Sequence, residues 1–193
     1  VGAVLAGGRS RRFGQDKALA RVAGSSLLER AAASVASFTD ELYLVAKQPE
    51  AYRGFGLPLL TDTYPARTPL SGILTAADLL REGDWLLLSA CDIVVLEPEL
   101  LRRLQGMRQA GRAAVLSRDG IPQPFPGFYP AECCAEFAAA YRTGEMHLQR
   151  IVERMPRREL PMDEAVCNVN RPEDLRRLEQ LLHAGEQKER GAL

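Results

Sequence analysis

Val1-Gly2-Ala3-Val4-Leu5-Ala6-Gly7-Gly8-Arg9-Ser10-Arg11-Arg12-Phe13-Gly14-Gln15-Asp16-Lys17 is a short apolar run that opens into a glycine- and arginine-rich loop. Beyond it, Ser26 stands at the head of a stretch in which Leu27, Leu28, Ala31, Ala32 and Val35 recur at helical spacing, predicting a helix that reaches about Phe38. Strand, loop and helix in that order begin an open α/β sheet, and the rest of the chain repeats the pattern. Strands are predicted over 42–46, 57–60, 85–90, 113–117 and, near the end, 165–168. Helices are predicted from Pro69 to near Gly83 and, after Pro98, over 99–109, then over 131–142, 146–154 and from Pro172 to about His183. The proline- and aromatic-rich segment 121–129 reads as an irregular edge strand or a substrate-side loop. The 193 residues suit one domain over 1–184, with 185–193 as a polar, fraying tail.

Composition excludes several classes of function. Lys and Arg number 25 and Asp and Glu 25, so no global field points to nucleic acid or an anionic membrane, and any anion site is local. No stretch is apolar for long enough to span a bilayer, and the first residues lack a secretory leader. Cys91, Cys133, Cys134 and Cys167 form no C-x-x-C pair, which reads as reduced, buried thiols in a cytoplasmic protein. With His147 and His183 as the only histidines, a metal would be a hard one held by carboxylates.

The first loop concentrates charge in this neutral chain. Between Leu5 and Lys17, Arg9, Arg11, Arg12 and Lys17 oppose one carboxylate, Asp16. Gly7 and Gly8 let successive main-chain N–H groups approach an oxyanion, and the cations supply what a triphosphate needs. The alternative is a solvated basic turn. Neither G-x-x-x-x-G-K-[ST] nor G-x-G-x-x-G is present. Asp92 directly follows the apolar strand 85–90, at the sheet edge where such folds bind ligands, and one aspartate there suffices for Mg²⁺ when phosphate oxygens complete the octahedron. A turn-capping aspartate is the alternative. Asp62 ends its own strand on the same edge. No Ser-His-Asp set, G-x-S-x-G elbow or Cys-His pair competes for a catalytic role.

The run L-A-G-G-x-S-x-R-x-G-x-D-K-A-L at Leu5 to Leu19 resembles the signature of the MobA-like nucleotidyltransferases. Pro69-Leu70-Ser71-Gly72-Ile73, Cys91-Asp92 and Asn168-Val169-Asn170-Arg171-Pro172 agree with that family in order and spacing. The resemblance implies a Rossmann-like, three-layer α/β/α fold with a mostly parallel sheet. It also implies Mg²⁺-dependent transfer of GMP from GTP to molybdopterin with loss of pyrophosphate, and molybdoenzymes or cofactor-delivery proteins as onward partners. It further implies that guanine and ribose lie against Leu5 and Ala6, and the triphosphate against Gly7, Gly8, Arg12 and Lys17. Asp62 would contact the nucleoside, Asp92 the metal, and Gly72, Asn168 and Asn170 the acceptor, whose pterin edge side-chain amides can read. Gly7-Gly8 favours the guanylyl branch, since related cytidylyltransferases usually carry alanine at the first glycine. The chain departs from the pattern at Thr68, at Ile93-Val94, and in having no asparagine on the strand 42–46. Cytidylyl or sugar-phosphate transfer, and a nucleotide-binding accessory protein without turnover, are the alternative functions.

Overall fold

The computed structural model describes residues 1–7, 16–162 and 166–191, with the side chains of the last helix described up to residue 185. Among the described residues, seven strands form one sheet in the order β10-β8-β9-β6-β1-β4-β5. These are β1 (Gly2–Leu5), β4 (Leu42–Ala46), β5 (Leu59–Thr61), β6 (Trp85–Ala90), β8 (Ala113–Arg118), β9 (Ile121–Pro130) and β10 (Arg157–Pro161). All but β9 run parallel. A two-stranded hairpin, β2 (Arg21–Val22) with β3 (Ser25–Ser26), and an antiparallel ribbon, β7 (Ile93–Val95) with β11 (Val166–Asn168), stand apart from the sheet.

Alternation along the strands makes this a three-layer molecule. Val4, Leu44, Leu87 and Ala114 face helices α1 (Leu27–Ala36) and α3 (Pro98–Gly106), packing on Leu28, Ala31, Val35, Leu101 and Leu104. Their neighbours Ala3, Val45, Leu86, Leu88 and Val115 face α2 (Pro69–Ala77), α4 (Ala131–Thr143) and α5 (Leu148–Arg154) on the opposite side. Burial on both faces is why the strands read as continuous apolar runs. The expected α/β/α architecture is therefore present. Helix starts also follow the sequence. Ser26 accepts a hydrogen bond from the Glu29 N–H at 3.1 Å while the Glu29 carboxylate accepts one from the Ser26 N–H at 2.6 Å, a complete capping box. Pro69 and Pro98 each occupy a helix's first turn.

Three segments differ from expectation. β9 is an interior strand, not an edge or a loop: its second half lies between β6 and β8, with Gly127 and Phe128 paired to both. Its prolines are tolerated because the register with β8 jumps from Val115–Gly127 to Leu116–Gln123, so Pro124 and Pro126 fall in the bulge and owe no ladder hydrogen bond. β10 was not expected, since Arg157-Arg158-Glu159 reads as polar; it is an outer strand, where polar residues guard the open edge. Helix α6 (Pro172–Gly191) continues past His183 through Glu186-Gln187-Lys188-Glu189-Arg190, all good helix formers.

Candidate active site

The chain crosses the sheet in two directions from β1. It moves outward to β4 and β5, then returns through α2 to β6 on the other flank of β1. The crevice between the carboxyl ends of β1 and β6 is thus the topological switch point, where an open α/β sheet binds its ligand. The Cys91 N–H donates to the Leu5 carbonyl at 3.0 Å, holding the two strand ends together. Leu5, Ala6 and Gly7 lie on one side of this crevice and Asp92 on the other. Gly7 has φ +92°, a conformation that L side chains rarely adopt, and a residue with a Cβ would be strained there. Gly8 and Arg12, with Arg9 and Arg11, lie outside the described residues.

Lys17 and Asp92 meet across the crevice. Lys17 Nζ donates to Asp92 Oδ2 at 2.6 Å, and the carboxylate side chain is 25% exposed. Lys17 is placed by its neighbour: Asp16 caps the short 3₁₀ turn Lys17–Leu19, accepting from the Ala18 N–H at 3.0 Å. The other carboxylate oxygen of Asp16 accepts from the Tyr52 hydroxyl at 2.6 Å, which ties the loop's end to the 3₁₀ helix Pro49–Phe55. Burial, with this bond second, pushes the Tyr52 phenol far up, so it remains a donor. Asp16 therefore anchors the loop, a role sequence reading did not assign. Behind the crevice, burial pushes the Cys91 thiol up to about 12, with Asp92 adding to the shift. Cys91 is a neutral wall and no nucleophile at neutral pH.

Asp62 sits on the far flank of β1, just beyond β5. It is buried, and its N–H donates to the Ala46 carbonyl at 2.8 Å. Its carboxylate accepts from the Ser71 hydroxyl (2.7 Å), the Tyr64 N–H (3.1 Å) and the Lys47 ammonium (2.9 Å). Lys47 follows β4 directly. Nothing in the sequence singles it out; the pair forms because β4 and β5 are parallel neighbours whose carboxyl ends coincide.

Of the residues expected to face the acceptor, Asn168 and Asn170 lie on and just after the strand paired beside Asp92, and Gly72 lies on α2 against Leu5. The β7–β11 ribbon pairs Asn168 with Ile93, and the Val169 N–H donates to the Asp92 carbonyl at 2.9 Å, so the two asparagines flank Asp92 in sequence register. Both are exposed. The head of α6 is capped by Asp174, whose Oδ2 accepts from the Asn170 and Arg171 N–H groups at 2.7 and 2.8 Å. A cavity of about 350 Å³ opens beside Asn168, lined also by Arg118, Met162, Cys167, Asp174 and Arg177. Gly72 instead lets α2 press on the sheet: a Cβ there would stand 3.2 Å from Leu5 Cδ2. The departures from the family pattern are accommodated. Thr68 has φ −132°, which needs no glycine, and Ile93-Val94 is apolar because it forms the buried ribbon strand.

Among the described residues no group of three or more His, Cys, Asp or Glu could hold a metal. Asp92 alone, partly exposed at the switch point, fits a hard divalent cation whose remaining ligands are phosphate oxygens and water. Asp62, buried and engaged, does not.

Comparison with known proteins agrees with the fold. Residues 2–185 match the model of the MobA-like NTP transferase domain. Molybdenum cofactor guanylyltransferase of Cereibacter sphaeroides is 33% identical over 193 residues, covering 94% of this chain and 96% of its own. The structure of molybdopterin-guanine dinucleotide biosynthesis protein A from Archaeoglobus fulgidus superposes with TM-score 0.79 at 24% identity, covering 95% of this chain and 98% of that one. The 2-C-methyl-D-erythritol 4-phosphate cytidylyltransferase of Thermus thermophilus shares the fold at TM-score 0.69 and 18% identity, covering 95% and 98%.

Proposed function

This chain belongs to the MobA-like NTP transferase family, and on that premise we propose that it transfers GMP from GTP to molybdopterin, releasing pyrophosphate. The observation that carries the reading is the Lys17–Asp92 pair at the switch point, beside a glycine whose φ of +92° side-chain-bearing residues rarely adopt.

The nucleotide's phosphates lie along Gly7, Gly8, Arg12 and Lys17, and the nucleoside against Leu5 and Ala6. The acceptor enters from the β7–β11 side, past Asn168 and Asn170, its bulk in the cavity beside them. An oxygen of the acceptor's phosphate attacks the α-phosphorus of GTP while the bond from that phosphorus to the bridging oxygen of the β-phosphate breaks, and pyrophosphate departs with the electron pair. The nucleophile is already anionic, so the protein owes it no base, in keeping with a neutral Cys91 and no poised histidine. Lys17 turns from Asp92 to the phosphates and balances the charge that gathers on the leaving oxygens. Asp92 would then hold Mg²⁺ with the phosphate oxygens, the ion supplying charge neutralisation when bound.

The four described cysteines are all free and buried, and the adjacent Cys133 and Cys134 are unbridged, which accords with a reducing cytoplasm. Proteins that receive the finished dinucleotide would be the partners. Purified protein incubated with Mg²⁺, molybdopterin and each of GTP, CTP, UTP and ATP tests the proposal. Pyrophosphate and a guanine dinucleotide should form with GTP; product from CTP alone would sink it.

A further inference from the structure

Resting on the nucleotidyl-transfer reading, we propose that Tyr52 is a positioning residue for the reaction: acting through Asp16, its hydroxyl fixes the turn from which Lys17 reaches the phosphates.

Lys17 has two positions to serve. Here its ammonium rests on Asp92 Oδ2, and in the transfer step it turns to the phosphates. A side chain that exchanges partners is accurate only if its root stays still, because a flexible four-carbon stem carries any drift of the backbone to the ammonium. The root is a turn of three residues, Lys17–Leu19. A turn so short has no extended hydrogen-bond ladder to stiffen it. The Leu19 and Ala20 N–H groups donate to the Asp16 and Lys17 carbonyls at 3.1 and 3.0 Å, and the head of the turn is held by the Asp16 side chain, which accepts from the Ala18 N–H at 3.0 Å.

Asp16 is a short, half-buried side chain, and it holds the turn only as firmly as it is held itself. Tyr52 supplies that restraint. It lies in the 3₁₀ helix Pro49–Phe55 that follows β4, 3% exposed, within the core layer that includes Val4, Leu28 and Ala46, and its ring meets that of Phe55 at 6.3 Å between centroids. From there the hydroxyl donates to Asp16 Oδ2 at 2.6 Å, joining residues 36 apart in the chain. One carboxylate thus passes the restraint from a core ring to the lysine's turn, with Oδ2 toward the ring and Oδ1 toward the Ala18 N–H. A hydrogen bond to an ionised acceptor is stronger and more directional than a neutral one, which suits it to this task.

The test is a double-mutant cycle. Pyrophosphate release with GTP, molybdopterin and Mg²⁺ is measured for the wild type, Tyr52→Phe, Lys17→Met and the double variant, with thermal melts to set the folded fraction. Tyr52→Phe keeps the ring and drops the hydroxyl; kcat should fall roughly tenfold while KM for GTP changes less than about twofold. In the Lys17→Met background the same change should cost less than about twofold, since no ammonium is left to place. Asp16→Asn can accept from the Ala18 N–H through its oxygen and donate to the tyrosine oxygen through its amide, so it should keep the rate within about threefold of the wild type, whereas Asp16→Ala should match Tyr52→Phe. Tyr43→Phe, which removes an exposed hydroxyl bonded to Glu41, should leave the rate unaltered. If Tyr52→Phe melts below the assay temperature, Asp16→Ala with and without Lys17→Met gives the same cycle. Equal losses with and without Lys17, or a lowered melting temperature with an unaltered kcat, would overturn the role of Tyr52 while leaving the transfer reading intact. A wild-type protein that releases no pyrophosphate from any of GTP, CTP, UTP and ATP would overturn the transfer reading, and this inference with it.

Discussion

Two lysine–aspartate pairs stand on the same edge of one sheet and are built for opposite purposes. Lys17–Asp92 closes over 2.6 Å, with the carboxylate a quarter exposed and the lysine borne on a short turn that Asp16 caps and Tyr52 ties down. Lys47–Asp62 closes over 2.9 Å, but its carboxylate is buried and also takes a hydroxyl from Ser71 and the backbone N–H of Tyr64. Removing a charge from water is tolerable only where all its hydrogen-bonding capacity is met. The second pair meets that condition from within the protein and is static. The first has its carboxylate open to solvent at the switch point, where a cation can reach it. Permanence suits a scaffold, and exchange suits chemistry in which charge moves.

The sharpest break of that contrast is Asp92→Asn. The shape is kept and the charge lost, so the fold should melt within a few degrees of the wild type while transfer, followed as pyrophosphate release, falls roughly a thousandfold. Retention of more than a tenth of the activity would remove Asp92 from the chemistry.

Lys17→Met separates the two partners of the exchangeable pair. Transfer should fall about a hundredfold for want of charge on the leaving phosphates. Binding of Mn²⁺ without nucleotide, read by electron paramagnetic resonance, should strengthen several-fold, because in the resting protein the ammonium competes for Asp92 Oδ2. Unchanged Mn²⁺ binding would show that the ion and the lysine do not share that oxygen.

On the fixed pair the readout is stability. Ser71→Ala strips one hydrogen bond from a buried carboxylate and should cost about 1–2 kcal/mol in denaturant unfolding, with turnover of saturating GTP changed less than threefold. A larger loss of turnover than of stability would mean that Asp62 exchanges partners too, and the contrast would fail.

How much of this was legible beforehand depended on the range of the forces involved. The first strand, Asp92 after the apolar run 85–90, and the proline-led helices are local patterns, and each is present where the sequence put it, while residues 8–15 of the first loop lie outside the described residues. β9 was misplaced because proline argues against an interior strand until a bulge is known to absorb it. Lys47 was missed for the reason that makes it stable: its partner is 15 residues away on another strand, and only the parallel β4–β5 pairing joins them. Asp62 was identified by family likeness, while its bonds to Ser71, Tyr64 and Lys47 could not be read from the sequence. Gly72 was read as room for the backbone to approach a ligand, and its close packing on Leu5 could not be read from the sequence.

The smallest effect expected is at Cys91, which lies against Asp92 yet belongs with the static part of the site. Its thiol is pushed up to about 12 by burial first and by the Asp92 charge second. A raised value favours the neutral form in the folded protein, so the thiol stays protonated from pH 7 to 9. In the unfolded chain it ionises near about 8.5. Folded stability is therefore whole below that value and declines as pH rises from about 9 toward 12, while transfer should show no thiolate limb between pH 7 and 9. Cys91→Ala should accordingly leave the rate within about twofold at pH 8 and flatten the alkaline loss of stability. A rate that rises with thiol ionisation, or a collapse of transfer in Cys91→Ala with the melt intact, would make the thiol a participant and move the line between the exchangeable and fixed halves of this edge.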